Sequence, residues 1–457
     1  LYIILVVLFL IFDLFTLLAF NGESRGLFDL MLLDGIAVLS QCIIIGGSTL
    51  FILLGLSKLR IQEYRYAEYF ALYLLAVAGF QFMVSSDSLI LIFVGLETSS
   101  LSIYTMIAMH NRMVSIEAAV KYFTMGALAA AFFVFGAMIF YAITGTVELA
   151  QMAQVLTEDG FLTVENYANY ILVLLGFVFM FAAIGFKLSL FPYHTWVPDV
   201  YQGSTSAMAG FLSVVPKMAG FVVALRFFEI FMQVNDVIIQ TMLYVTVVLT
   251  ITIPNLIALQ QKDIKRMLSY SSISNAGMAM AAIVIGTQQA INGLFLYWIL
   301  FTVTNLGAFG MLWLNRGKEF NDYGSPYTFK KFSGLAQISP FTASIFGIFL
   351  FALTGLPPFA LFWGKMYIVA SAVNAGHIAL AVIIVVNSAI AAYYYLRPVS
   401  YMFLRNPEEG TNTKFMQNAT TPVKAVVGFI VFLTIVSILF IDPLLNIISQ
   451  YVSSSGY

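Results

Sequence analysis

The sequence predicts an all-α polytopic membrane protein with about thirteen transmembrane helices, arranged as two inverted five-helix repeats that each contain a broken helix. Three observations carry this expectation. Of the 457 residues, 61% are hydrophobic and 9% are charged, against about 25% charged in a soluble domain, and the mean hydropathy is +0.94. Thirteen apolar runs are long enough to cross a bilayer, which takes about 20 residues. Two of those runs are too long for one straight crossing, and both are cut by prolines.

In chain order the spans read as 1–20, 33–57, 66–84, 87–109, 117–144, 170–202 (broken), 204–231, 236–258, 264–285, 288–315, 337–374 (broken), 377–402 and 423–447. Strand alternation is not evident, which speaks against a barrel. At 1.5 Å per residue, a helix over 337–374 would run roughly 55 Å through a hydrocarbon core of about 30 Å. Pro357 and Pro358 lie near its middle, with Lys365 shortly after. The run 170–202 has the same anatomy, with Lys187 ahead of Pro192 and Pro198, which remove backbone donors and interrupt a helix. Broken helices at matching places in two halves point to an inverted-repeat transporter. Spans three to seven and eight to twelve make two sets of five, with the broken span fourth in each. Five is odd, so the second set enters from the opposite side. The chain therefore divides into N-terminal helices (1–65), a first repeat (66–231), a second repeat (232–402), and a loop with a C-terminal helix (403–457).

Loop charge sets orientation. Lys58, Arg60 and Arg65 follow span two, and His110 and Arg112 follow span four. Lys262, Lys265 and Arg266 follow span eight; Arg316, Lys318, Lys330 and Lys331 follow span ten; Arg397 and Arg405 follow span twelve. The opposite side carries Glu148, Glu158, Asp159, Glu165 and Asp236. Even-numbered spans thus end in the cytoplasm, Leu1 starts there, and the C-terminus lies outside. The chain begins with Leu1 and not Met, so residues are expected upstream. Leu1 to Phe20 lacks a basic leader and a small-residue cleavage site and reads as a membrane helix, not a signal peptide.

Several function classes drop out. A net charge of −1 gives no case for nucleic-acid binding. The lone Cys42 permits neither a disulfide framework nor a cysteine metal site. The loops 145–169, 316–336 and 403–422 are too short to build a soluble domain. The glycosylation sequon at Asn418 falls on the cytoplasmic side and carries no meaning there. There is no P-loop, dinucleotide fingerprint, H-E-x-x-H or haem signature, so no redox chemistry or cofactor is expected on this chain.

What remains is a set of ionisable residues at membrane depth, each a functional hypothesis by default because such groups are costly in hydrocarbon. Lys187, Lys217 and Lys365 stand out by depth and by position at or beside the helix breaks, against a plainer reading as lysines that snorkel from helix ends. Glu97 lies mid-span, where the alternative is a protonated carboxyl packing two helices. Lys121 is one turn inside span five, so snorkelling and function are evenly matched, and Glu117 one turn earlier faces water. Asp13 reads as a local hydrogen-bond partner of a neighbouring helix, and Arg226 and Glu229 as interfacial. His194 and Asp199 line a proton entry or cap loop backbone; Ser269, Ser271 and Ser272 bond water or, more commonly, neighbouring helices. A buried lysine suits proton relay because it can exist neutral or charged near neutral pH, and a nearby carboxylate favours the charged form. Glu97 and Lys187 are the evident pair of this kind, expected to form a switchable ion pair.

The stretches GFKLSLFPYHTWVPDVYQG, QQKDIKRMLSYSSISNAG and LTGLPPFALFWGKMY resemble the antiporter-like membrane subunits of respiratory complex I. The ending Val200-Tyr201-Gln202-Gly203, and lysine at 365 where the neighbouring subunit type has glutamate, look most like the N-subunit branch (NADH dehydrogenase subunit 2 in mitochondria). The resemblance covers nearly the whole chain. One departure is Ser204-Thr205-Ser206 at the entry to span seven, where the family often has Ala-Pro. Bacterial members usually have fourteen spans, one more than here. The resemblance implies a proton relay of Glu97, Lys187, Lys217 and Lys365, with Lys121 as the family's lysine near Glu97. It implies FMN, iron–sulfur clusters and quinone on partner subunits, contacts with a neighbouring antiporter-like subunit, small membrane subunits and lipid, and a place in the bacterial inner membrane in preference to the mitochondrial one. The competing readings are a subunit of a sodium/proton antiporter, a subunit of a membrane-bound hydrogenase, and a scaffold that transports nothing; fold alone does not separate them.

Overall fold

The computed structural model describes residues 2–56, 62–157, 167–234, 236–315, 327–408 and 419–457. The expected features at Lys58, Arg60, Glu158, Asp159, Glu165, Arg316, Lys318 and Asn418 lie outside these residues. The chain opens with α1 (Tyr2–Leu17), a short hairpin of β1 (Ser24–Gly26) and β2 (Met31–Leu33), and α2 (Gly35–Leu54). Then come α3 (Ala67–Val84), α4 (Leu89–Ala108), α5 (Met113–Thr144), α6 (Leu149–Thr157), α7 (Tyr167–Leu188), α8 (Trp196–Gly203) and α9 (Ser206–Val234). The second half holds α10 (Val237–Gln260), α11 (Ile264–Ile285), α12 (Gln288–Leu314), α13 (Leu335–Ile338), α14 (Pro340–Thr354), α15 (Leu361–Asn374) and α16 (Ile378–Leu404). Two last helices, α17 (Thr421–Val436) and α18 (Ile441–Ser453), are joined by a 3₁₀ turn.

Among the described residues, eleven helices are long and apolar enough to cross a membrane, and Tyr2–Leu17 and Pro340–Thr354 are shorter apolar helices. The expected spans each have a counterpart. The hairpin and the surface helix α6 are additions, because short polar-flanked segments carry little periodicity. Polar residues set several starts: Asp34, Asp236, Asp263 and Thr287 each accept a backbone N–H of their helix's first turn, satisfying donors that the helix leaves unpaired.

Both overlong runs are broken. α7 and α8 are separated at residues 189–195, and Ser189 takes a left-handed φ of 63°. Pro192 falls in this gap, but Pro198 sits in the first turn of α8, where a missing N–H costs nothing; it does not interrupt a helix. α14 and α15 are separated around Pro357 and Pro358. The Ser204-Thr205-Ser206 departure is a helix cap, since the Met208 N–H donates to Thr205 Oγ1 at 3.1 Å.

The centre of the bundle is α9, α11 and α12, apolar and buried all round, the pattern of an enclosed helix. The packing within α3 to α9 recurs within α10 to α16. The first two spans of each set pair (α3 with α4, α10 with α11), and the third packs on both halves of the broken span (α5 on α7 and α8, α12 on α14 and α15). α1, α5, α16 and α17 leave apolar side chains such as Phe9, Phe12, Leu128, Val386 and Phe429 exposed, as helices facing lipid or membrane partners do.

Candidate functional site

Three lysine heads lie deep in the bundle, and local chain geometry holds each in place. Lys187 occupies the last turn of α7, where the helix's negative end favours a cation. Its Nζ donates to Ser100 Oγ at 2.9 Å and Ser99 Oγ at 3.4 Å, and lies 5.4 Å from the centre of the Phe80 ring. α4 and α3 approach closely through glycines: a Cβ on Gly79 would fall 2.6 Å from the Gly95 carbonyl oxygen. Lys217 follows Pro216 on α9 and is 1% exposed. Its Nζ donates to the Ser272 carbonyl at 2.7 Å and to Ser272 Oγ at 2.9 Å. Lys365 reaches back from α15 to donate to the Thr354 carbonyl at 2.9 Å, at the negative end of α14. Gly355 makes room for it: its φ is +71°, and a Cβ there would lie 2.6 Å from Lys365 Cδ. Among the described residues, none of the three is within salt-bridge distance of a carboxylate.

Glu97 is therefore not ion-paired with Lys187 in this structure. The two are close enough to feel each other's charge, but the serines one turn further along α4 take the ammonium. Glu97 itself is partly exposed on the α4 face that carries Val94 and Leu101. Lys121 stands apart from the buried set. The inner face of α5 is Ser115, Ala118, Ala119 and Tyr122, which turns Lys121 outward at 45% side-chain exposure. There it pairs with Glu117 at 2.7 Å and Asp199 at 3.3 Å, and Arg266 joins Asp199 at 3.2 Å. Asp199 thus belongs to an outer charge network. His194 is buried, stacks on Phe191, and its Nδ1 has no hydrogen-bond partner among the described residues.

Asp13 has the neighbouring-helix partner expected of it, Gln81 on α3. Arg226 is not simply interfacial: it is mostly buried and pairs with Asp34 at 2.8 Å, because the start of α2 packs against the end of α9. The Ser269–Ser272 hydroxyls bond protein groups, with Ser271 meeting Tyr395 and Ser272 meeting Lys217.

Sequence reasoning missed two features. Lys265, taken as a loop charge, is 3% exposed. Its Nζ donates to the Ser204 and Gln202 carbonyls at 2.5 and 3.3 Å and lies over the Tyr327 ring. The span 264–285 already includes Lys265, but its burial depends on carbonyls outside that span. Tyr327, outside the spans, accepts from Ser206 Oγ at 2.7 Å, and burial pushes its phenol up. The second feature is a buried hydroxyl–amide cluster. Tyr297 donates to Asn275 Oδ1 at 2.7 Å, and Asn275 Nδ2 donates to Tyr395 at 3.3 Å and Ser271 at 3.4 Å. Among the described residues, no group of three His, Cys, Asp or Glu could hold a metal ion.

Residues 86–391 match the family described as "NADH:quinone oxidoreductase/Mrp antiporter, TM". The chain is 54% identical over 439 residues to a protein of Sulfurimonas denitrificans named NADH-quinone oxidoreductase subunit N, covering 96% of this chain and 86% of that one. It superposes with a TM-score of 0.77 and 30% identity on a chain of respiratory complex I from Thermus thermophilus, covering 96% of this chain and 93% of that one. A chain of the Mrp complex from Dietzia sp. gives a TM-score of 0.82 at 18% identity, over 99% of this chain and 92% of that one; this likeness speaks for the fold alone.

Proposed function

The chain belongs to the subunit N family of NADH-quinone oxidoreductases, and from that premise we propose that its buried lysines carry protons through the membrane in step with quinone reduction on other subunits. It is an antiporter-like, proton-translocating subunit of complex I, a multi-pass protein of the bacterial inner membrane that assembles with further subunits. Redox cofactors and quinone lie on those partners in this reading. The antiporter alternative shares the fold, and membership at the level of subunit N favours the oxidoreductase over it and over the hydrogenase.

The observation that carries the relay is three buried lysine heads with no carboxylate in contact among the described residues. A buried unpaired ammonium is expensive, while a neutral amine in the same place is not, so such a lysine is suited to taking up and giving up a proton. The route runs from Lys187 through Lys217 to Lys365, with Glu97 biasing the first of them by its charge. Lys121 acts from the outer network, not as a carrier. We also read α3–α9 and α10–α16 as inverted repeats, supported by their recurring packing order and the odd number of spans in each. The test is Lys217→Ala in the assembled complex: NADH oxidation should persist while protons pumped per NADH fall strongly. Parent-level pumping would refute the relay.

A further inference from the structure

The heads of Lys187 and Lys217 end on the same short pattern. In α4 it is Thr98-Ser99-Ser100-Leu101-Ser102, and in α11 it is Tyr270-Ser271-Ser272-Ile273-Ser274. Each helix is the second of its five-span set, and each packs between the first and third. The second serine of each pair takes a lysine at the same separation: Ser100 Oγ receives Lys187 Nζ and Ser272 Oγ receives Lys217 Nζ, both at 2.9 Å. Ser100 and Ser272 are buried along with the lysines they meet.

The hydroxyl differs from the other available partner in one decisive way. An ammonium has three donors and no acceptor; the neutral amine gains a lone pair that seeks a donor. A backbone carbonyl can accept an N–H from either state but offers nothing to the lone pair. A serine hydroxyl serves both, accepting from the ammonium and, after rotation about its C–O bond, donating to the amine. Ser272 has a resting place for its proton, the Ser213 carbonyl at 3.5 Å, long enough to leave easily. In an interior where an unmade hydrogen bond is costly, a partner that suits only one protonation state would trap the lysine in it.

We propose that Ser100 and Ser272 are positioning residues of the proton route, whose hydroxyls turn to fit the charged and the neutral forms of Lys187 and Lys217. The serine makes and breaks no covalent bond: as an N–H proton leaves the lysine for the next carrier, the direction of one lysine–serine hydrogen bond reverses. Lys365, held by the Thr354 carbonyl, has no such partner among the described residues, so the device belongs to the first two carriers. This inference rests on the reading of the lysines as carriers.

The experiment uses the assembled oxidoreductase in membrane vesicles, reading protons pumped per NADH oxidised. Ser100→Ala and Ser272→Ala should each lower this ratio about tenfold, the scale of one buried hydrogen bond lost from the step. Ser→Cys at either site keeps the size but offers only a weak donor and acceptor; it should lower the ratio similarly and serves if an alanine variant does not assemble. Ser→Thr keeps the hydroxyl and should retain more pumping than Ser→Cys. Parent-level pumping in the Cys or Ala complexes overturns the proposal, as does a Thr variant no better than Cys. Lys187→Ala and Lys217→Ala run alongside: if they abolish pumping while the serine variants do not, the serine proposal alone fails. If the lysine variants pump normally, the carrier reading falls and this inference with it.

Discussion

Gly355→Ala separates the seat of Lys365 from the lysine itself. The added Cβ would lie 2.6 Å from Lys365 Cδ and Cε and 2.7 Å from Nζ, on a backbone with φ of +71°. A left-handed conformation costs an L residue about 1–2 kcal/mol, and that cost falls on stability. The lysine stem is flexible and gives way, so Nζ leaves the Thr354 carbonyl, now 2.9 Å away. A hydrogen bond from a charged group contributes about 1.5–3 kcal/mol, and about 1.4 kcal/mol is a factor of ten. The two effects therefore appear in different measurements. Thermal inactivation should shift modestly, while protons pumped per NADH should fall roughly tenfold or more. The double variant Gly355→Ala/Lys365→Ala should pump no worse than Lys365→Ala alone, because the glycine acts only through the lysine. Parent-level pumping in Gly355→Ala, or losses that simply add in the double variant, would refute the reasoning.

Glu97→Gln keeps the shape and removes the charge that Lys187 feels; pumping per NADH should drop about tenfold in a complex that still assembles, and Glu97→Asp should be milder. Lys121→Ala removes exposed ion pairs worth about 0.2–1 kcal/mol, so pumping should stay within about twofold of the parent and well above that of Lys217→Ala. Asp34→Asn leaves the buried Arg226 guanidinium without its counter-charge and should destabilise by about 3–5 kcal/mol, read as a lower inactivation temperature; an unchanged temperature would show that the pair contributes nothing.

The span order was legible because a bilayer permits few solutions: apolar length gives the helices, and Pro357 and Pro358 give the second break. The first break was harder to bound, since Pro198 looks like a breaker but sits where a helix start accepts proline. Depth alone singled out Lys187, Lys217 and Lys365, and all three are buried. Depth could not decide Lys121, for which snorkelling and function were evenly matched; its outward direction is set by small inward residues such as Ala118 and Ala119. Lys265 opens the span 264–285 and counts with Lys262 and Arg266 toward orientation, but the Gln202 and Ser204 carbonyls that bury it belong to a segment sixty residues earlier. Long-range carbonyl partners leave no trace in local pattern.

The two halves are alike in packing but not in chemistry, and aligning their serine pairs makes the difference concrete. With Ser99-Ser100 set against Ser271-Ser272, Glu97 in α4 corresponds to Ser269 in α11, whose hydroxyl merely returns to the Arg266 carbonyl of its own helix. The position of Ile103 in α4 is taken by Asn275 in α11, the hub that joins Tyr297, Tyr395 and Ser271. Both helices meet a lysine with serine hydroxyls, but α4 adds a carboxylate, partly exposed on its outer face. At the matching places α11 carries a hydroxyl and an amide, enclosed among α11, α12 and α16. A carboxylate adds an electrostatic bias of fixed sign, whereas hydroxyls reorient and follow either charge state. In the proposed relay, Glu97 is therefore the group that a neighbouring subunit could reach, while Ser272 and the Asn275 cluster are enclosed.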